Sequence, residues 1–164
     1  MKIAITGHRP NKLGNDYDLT SPLVLAIKAK LQEILTHDYL YYYDVRLISG
    51  MALGINTLFA QIAVAQGYPF IAAISCIQQH AKWTQKSKEI YLDLINHTMC
   101  DKHYVSTEPY NNSCMQKRNI YMVDNCDILI AVWDGTSGGT VNCVAYARQV
   151  GKQIIIINPN DFRH

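Results

Sequence analysis

The chain of 164 residues is 49% hydrophobic and 17% charged, enough apolar material for one domain with a full core. A formal net charge of +2 is far from the basic excess of a dedicated nucleic-acid binder, so an anion site has to be local. No apolar stretch approaches the roughly 20 residues that span a bilayer, and Met1-Lys2 leads straight into a strand-like Ile3-Ala4-Ile5 without a signal-peptide pattern, so a cytoplasmic protein with no membrane partner is expected.

The elements then alternate. Lys2 to Thr6 reads as a strand, and a polar loop from Gly7 to Thr20 leads to a helix from about Ser21-Pro22 to Thr36, with Ser21 as N-cap and Pro22 in the first turn. Val45 to Ser49 is a second strand, and Gly50-Met51-Ala52-Leu53-Gly54 opens a helix that runs to about Gln66 and closes at Gly67. Phe70 to Ser75 is apolar in the manner of a strand buried on both faces. A helix is expected from about Lys82 to His97, a weak strand over Lys102 to Ser106 and a helix over Ser113 to Asn125. A strong strand over Asp127 to Trp133, a helix over Gly138 to Val150 and a last strand over Gln153 to Asn158 end the series. Strand and helix in alternation imply a Rossmann-like three-layer α/β/α domain with a mainly parallel sheet. The cluster Tyr41-Tyr42-Tyr43 suits a partner surface as well as an aromatic patch.

In such sheets ligands lie beyond the carboxyl ends of the strands, near a topological switch point. Three glycine loops belong to that edge. Gly7-His8-Arg9 follows the first strand, and a guanidinium there can grip phosphate as a planar fork. Ser49 and Gly50 to Gly54 let the backbone approach a ligand where a β-carbon collides, although tight helix–sheet packing accounts for these glycines nearly as well. The spacing matches neither the dinucleotide fingerprint nor the Walker pattern. Asp134-Gly135-Thr136-Ser137-Gly138-Gly139-Thr140 is the most informative loop: it delivers free backbone N–H groups at a helix start, with the hydroxyls of Ser137 and Thr140 beside them. Asp134 can accept from sugar hydroxyls, which makes phosphate plus sugar the expected occupant.

Arg118-Asn119 can reach the same edge from their helix or be ordinary surface polarity. Trp83 can stack on a base or serve as core. The five cysteines are odd in number with no CxxC pair, and although His97, Cys100 and His103 are evenly spaced, they straddle a helix end and a strand start, so neither disulfides nor a metal site is expected.

Taken together, Thr6-Gly7-His8-Arg9-Pro10, Ser49 to Asn56, Lys82-Trp83, Arg118-Asn119 with Met122-Val123-Asp124, and Asp134-Gly135 with Gly138-Gly139-Thr140 resemble the YpsA-like branch of the SLOG superfamily over nearly the whole chain. That superfamily includes DprA/Smf single-strand DNA binders, Lonely-guy phosphoribohydrolases acting on nucleoside 5′-monophosphates, and sensor domains for nucleotide-derived signals such as ADP-ribose species. The resemblance implies a pocket for such a ligand, no cofactor, and assembly into homo-oligomers.

Two departures bear on activity. Three residues beyond the loop threonine, where the Lonely-guy pattern has a catalytic carboxylate, stands Cys143, with Asn142 before it; Asn56 stands where the YpsA-like pattern tends to have Asp. Glycoside cleavage passes through a cationic sugar that a carboxylate must stabilise, and neither Asn nor a neutral thiol supplies that charge. The expectation is therefore a binding protein, a sensor, carrier or sequestering protein: phosphate on the Gly138-Gly139-Thr140 amides and Arg9, ribose at Asp134 or Asn56, base near Trp83. An N-glycosidase using Asp134 or Glu89 as the carboxylate is the alternative. Binding to nucleic acid is disfavoured by the charge.

Overall fold

A computed structural model describes residues 1–37, 44–111 and 113–163. The tyrosine cluster at 41–43 and Asn112 lie outside the described residues. Six strands, β1 (Lys2–Gly7), β2 (Arg46–Ser49), β3 (Phe70–Ile74), β4 (Cys100–Tyr104), β5 (Ile128–Val132) and β6 (Gln153–Ile157), form one sheet in the order β4-β3-β2-β1-β5-β6. Every neighbouring pair is parallel. Among the described residues five α-helices connect them: α1 (Pro22–Thr36), α2 (Ile55–Gln66), α3 (Gln85–Ile95), α4 (Cys114–Asn125) and α5 (Gly139–Gln149). The fold is Rossmann-like α/β.

The pleat sorts the core into two layers. Ile3, Ile5, Leu47, Phe70, Ala72, Ile74, Ile128 and Ile130 pack with buried residues of α1, α2 and α3, whereas Ala4, Ile48, Ile71, Ala73 and Leu129 pack with those of α4 and α5. Alternate residues of one strand feed opposite faces, which is why the inner strands read as continuous apolar runs.

Local chemistry sets the boundaries. The hydroxyl of Ser21 accepts from the Val24 amide at 3.2 Å, and Gly67 closes α2 in the left-handed conformation at φ 78°. Helix α3 begins three residues later than the periodicity suggests, because Thr84 caps it by accepting from the Ser87 amide; Lys82 and Trp83 therefore stand in the preceding turn. Strand β4 begins at Cys100, two residues earlier than expected, in register with Phe70. It is an edge strand exposed at Asp101 to Tyr104, so no apolar run marks it.

The order of succession reverses at β1. Strands β2, β3 and β4 extend to one side of it and β5 and β6 to the other, so the loops after β1 and β5 leave the sheet side by side at the switch point.

Candidate functional site

A cavity of about 190 Å³ opens at this switch point. Thr6 to Arg9 and Lys12 come from the β1 edge, Ala52 and Asn56 from the turn into α2, Arg118 and Asn119 from α4, and Thr136 to Thr140 from the loop into α5. Among the described residues no Asp or Glu lines it, while Arg9, Lys12 and Arg118 bring three cations.

Helix α5 meets the cavity bare. Its N-cap is Gly138, no side chain caps it, and its first turn carries no acid, so its leading N–H groups have no partner from a capping side chain. With the helix dipole behind them they turn a partial positive charge toward the cavity.

Arg118 defines the chemistry of the floor. The buried positions of α4 include Cys114, Arg118 and Met122, spaced four apart, so its register carries a guanidinium along a stripe otherwise filled by apolar side chains. Only 7% of Arg118 is exposed. Its Nη1 donates to the Gly50 carbonyl at 3.3 Å, and its Nε has no hydrogen-bond partner. Burial, reinforced by the neighbouring Arg9 charge, pushes its pKa down to about 10. Among the described residues no carboxylate forms an ion pair with it. A buried cation in this state is costly, and the charge and acceptors it lacks are those of an anion.

Ser49 and Gly50 do not line the cavity; they support it. Ser49 Oγ donates to the Asn56 carbonyl at 2.7 Å, and the Gly50 amide donates to Asn56 Oδ1 at 2.9 Å. Asn56, at the cavity wall, therefore has its Nδ2 donors left for a ligand. A β-carbon on Gly50 would stand 2.7 Å from Arg118 Nε, so the glycine makes room for the guanidinium. Gly54 also lies outside the lining. Its φ of 89° and the 2.5 Å that would separate an added β-carbon from the His8 carbonyl restrict the position to glycine. Ile55 N donates to that same carbonyl at 3.2 Å, binding the start of α2 to the first loop.

Asp134 and Gly135 open the loop into α5 and are not among the lining residues. Asp134 Oδ1 accepts from both the Thr136 amide (3.0 Å) and the Thr136 hydroxyl (2.5 Å). The Thr136 hydroxyl bond is the main reason its pKa falls to about 2. His8, 4% exposed, brings Nε2 within 3.0 Å of Asp134 Oδ1 and 3.1 Å of its amide. One nitrogen serves these two only alternately: bare, it accepts from the amide; protonated, it donates to the carboxylate. Burial lowers the His8 pKa despite the opposing pull of Asp134, which favours the neutral ring. Glu89 is exposed on α3, accepts from Gln85 Nε2 and does not reach the cavity. Trp83 is likewise absent from this lining; it borders an adjoining groove.

Cys143 is fully buried near Thr6 and Arg118, and burial raises its thiol pKa. A neutral sulfur thus stands where the Lonely-guy pattern has its acid. Lys12 is a site residue that the sequence did not single out. Its Nζ donates to Thr136 Oγ1 at 2.7 Å and to the Ser137 carbonyl, and Arg163 donates to its own carbonyl at 2.8 Å. The only forewarning is Pro10, which starts the short 3-10 turn Pro10–Lys12; in sequence the lysine looks like any solvated loop lysine. Two further histidines have local roles: His97 Nδ1 accepts from the Met99 amide, and His103 stacks on Tyr121.

The family model of the YspA SLOG family matches residues 3–161. The chain belongs to that family. It is 30% identical over 163 residues to the uncharacterized SPbeta prophage-derived protein YoqJ of Bacillus subtilis (strain 168), covering 87% of this chain and 93% of that protein. Its fold is similar to DNA processing protein A (DprA) from Streptococcus pneumoniae, with a TM-score of 0.62 at 19% identity over 96% of this chain. The match spans 50% of that longer protein. It is also similar to TM1055, with a TM-score of 0.56 at 15% identity, covering 93% of this chain and 71% of that one.

Proposed function

We propose that this SLOG protein binds and retains a nucleotide-derived, phosphate-containing small molecule, a nucleoside monophosphate or ADP-ribose-type signal, as a sensor, carrier or sequestering protein. The observation that carries this reading is Arg118: a buried guanidinium with an unpartnered Nε, lining a cavity at the uncapped start of α5 that no carboxylate among the described residues lines. Phosphate provides the charge and acceptor oxygens that these donors lack. Arg9 and Lys12 close on it from the β1 side, and Asn56 and Asn119 offer neutral partners to a sugar.

The same lining argues for retention over cleavage. A glycosidase needs a carboxylate at the sugar carbon, and the two acids considered for that role are placed elsewhere. Asp134 is committed to the Thr136 turn, and Glu89 is exposed on α3.

Isothermal titration of the protein with AMP, ADP-ribose and ribose 5-phosphate tests the reading, with the recovered ligand analysed by mass. Intact ligand is expected, together with about a hundredfold loss of affinity in Arg118→Met, the magnitude for charge-assisted hydrogen bonds to phosphate. Released base would establish cleavage, and wild-type affinity in the variant would remove the site.

A further inference from the structure

Beyond Arg9 the cavity gives way to a second, larger groove of about 550 Å³, between the segment after β3 and the segment after β4. Arg9 lines both spaces. Trp83 and Lys82 border the groove on one side, and Pro109 and Tyr110 on the other. Among the described residues no acid lines this groove either. Trp83 is half-buried and held by edge contacts, its ring centroid 5.3 Å from Tyr91 and 6.3 Å from His80. Tyr110 is 62% exposed, so most of its surface is open to a ligand.

The two spaces differ in chemistry. The first is small, polar and cationic, suited to phosphate and sugar; the second offers flat apolar rings flanked by the cations Arg9 and Lys82. A flat, electron-rich heterocycle is what such a surface holds, by stacking on Tyr or Trp and beneath a guanidinium plane.

We propose that the Trp83–Tyr110 groove is the ring subsite of the same ligand, with Arg9 at the junction between its phosphate-bearing and aromatic halves. The inference rests on the phosphate reading above and narrows it: the occupant is a phosphorylated heterocycle held at two points, and a simple sugar phosphate fills only the first.

AMP and ribose 5-phosphate separate the two spaces, because they share ribose and phosphate and differ in the base. Both are titrated into the wild-type protein, Tyr110→Ala and Trp83→Phe, by calorimetry and by tryptophan emission. The chain has two tryptophans, Trp83 and Trp133, so a change in emission that disappears in Trp83→Phe is assigned to Trp83. Tyr110→Ala is expected to weaken AMP about tenfold, the scale of one stacked base, and to leave ribose 5-phosphate unchanged. AMP alone is expected to alter Trp83 emission. If Tyr110→Ala binds both compounds as the wild type does and AMP leaves Trp83 emission unaltered, the ring subsite is refuted while the phosphate site stands. If the wild type binds neither compound, the phosphate reading falls and the ring subsite falls with it.

Discussion

Arg118 and His8 are charged or chargeable groups that the fold holds away from water, and each leads to a measurable consequence. A base whose pKa is lowered in the folded state weakens the fold at pH values below that lowered pKa, and the deficit fades as pH rises from about 10 toward the ordinary arginine value. Methionine at 118 fills similar space without charge, and Gln79 Nε2, 3.5 Å from the Gly50 carbonyl, still offers that oxygen a donor. The ligand-free Arg118→Met protein is therefore expected to be about 1–2 kcal/mol more stable to urea than the wild type, even as it loses phosphate. A lower unfolding midpoint would show that the guanidinium is already compensated. His8 gives a second test. Burial lowers its pKa and Asp134 raises it, so imidazole NMR signals should titrate below the ordinary 6.5, and Asp134→Asn should move the midpoint lower still. An unmoved or higher midpoint would mean that the carboxylate does not act on the ring. Neither residue's burial was legible beforehand. Arg118 lies on a helix of mixed polarity, and only tertiary packing decides which face turns inward.

At the level of elements, far more could be read in advance. Apolar runs marked β1, β3 and β5, Ser21 and Gly67 marked helix ends, and three glycine loops fell on one sheet edge because parallel strands share their carboxyl ends. What the chain order does not give is the division of labour among those loops. Among the described residues the α5 loop brings a bare helix start to the cavity; the Gly50 to Gly54 turn lends Ala52 to the lining and packs its glycines around Arg118 and the His8 carbonyl. Substitutions separate the two roles. Gly54→Ala forces a β-carbon into backbone atoms at positive φ and should lower stability by about 3 kcal/mol or more, seen in thermal melts. Gly139 has nothing within 4 Å of an added β-carbon and lines the cavity. Gly139→Leu should therefore melt near the wild type yet lose phosphate binding in calorimetry. Equal melts for the two variants, or undiminished binding by Gly139→Leu, would contradict this assignment.

At the scale of the whole molecule, the site is assembled from chain segments far apart in sequence, and few side-chain bonds join them. Lys12 grips the loop at Thr136 and Ser137, His8 meets Asp134, Arg118 reaches back to Gly50, and Arg163 braces Lys12 from the other end of the chain. Three cations converge there in a protein whose formal net charge is only +2. An anion that bridges these segments joins β1, α4 and α5 at once and relieves the repulsion between Arg9 and Arg118. Its binding energy consequently appears as global stability. A ligand present at 100 times its dissociation constant stabilises the native state by about 2.7 kcal/mol, and for a chain of this size that shifts the melting temperature by roughly 5–10 °C. The shift should grow with the logarithm of AMP concentration, shrink as salt screens the exposed cations Arg9 and Lys82, and fall to about 1 °C in Arg118→Met at the same concentration. Scanning calorimetry across a concentration series decides the matter: a melting temperature indifferent to AMP, or an equal shift in the variant, would place any bound nucleotide outside the cavity that Arg118 lines.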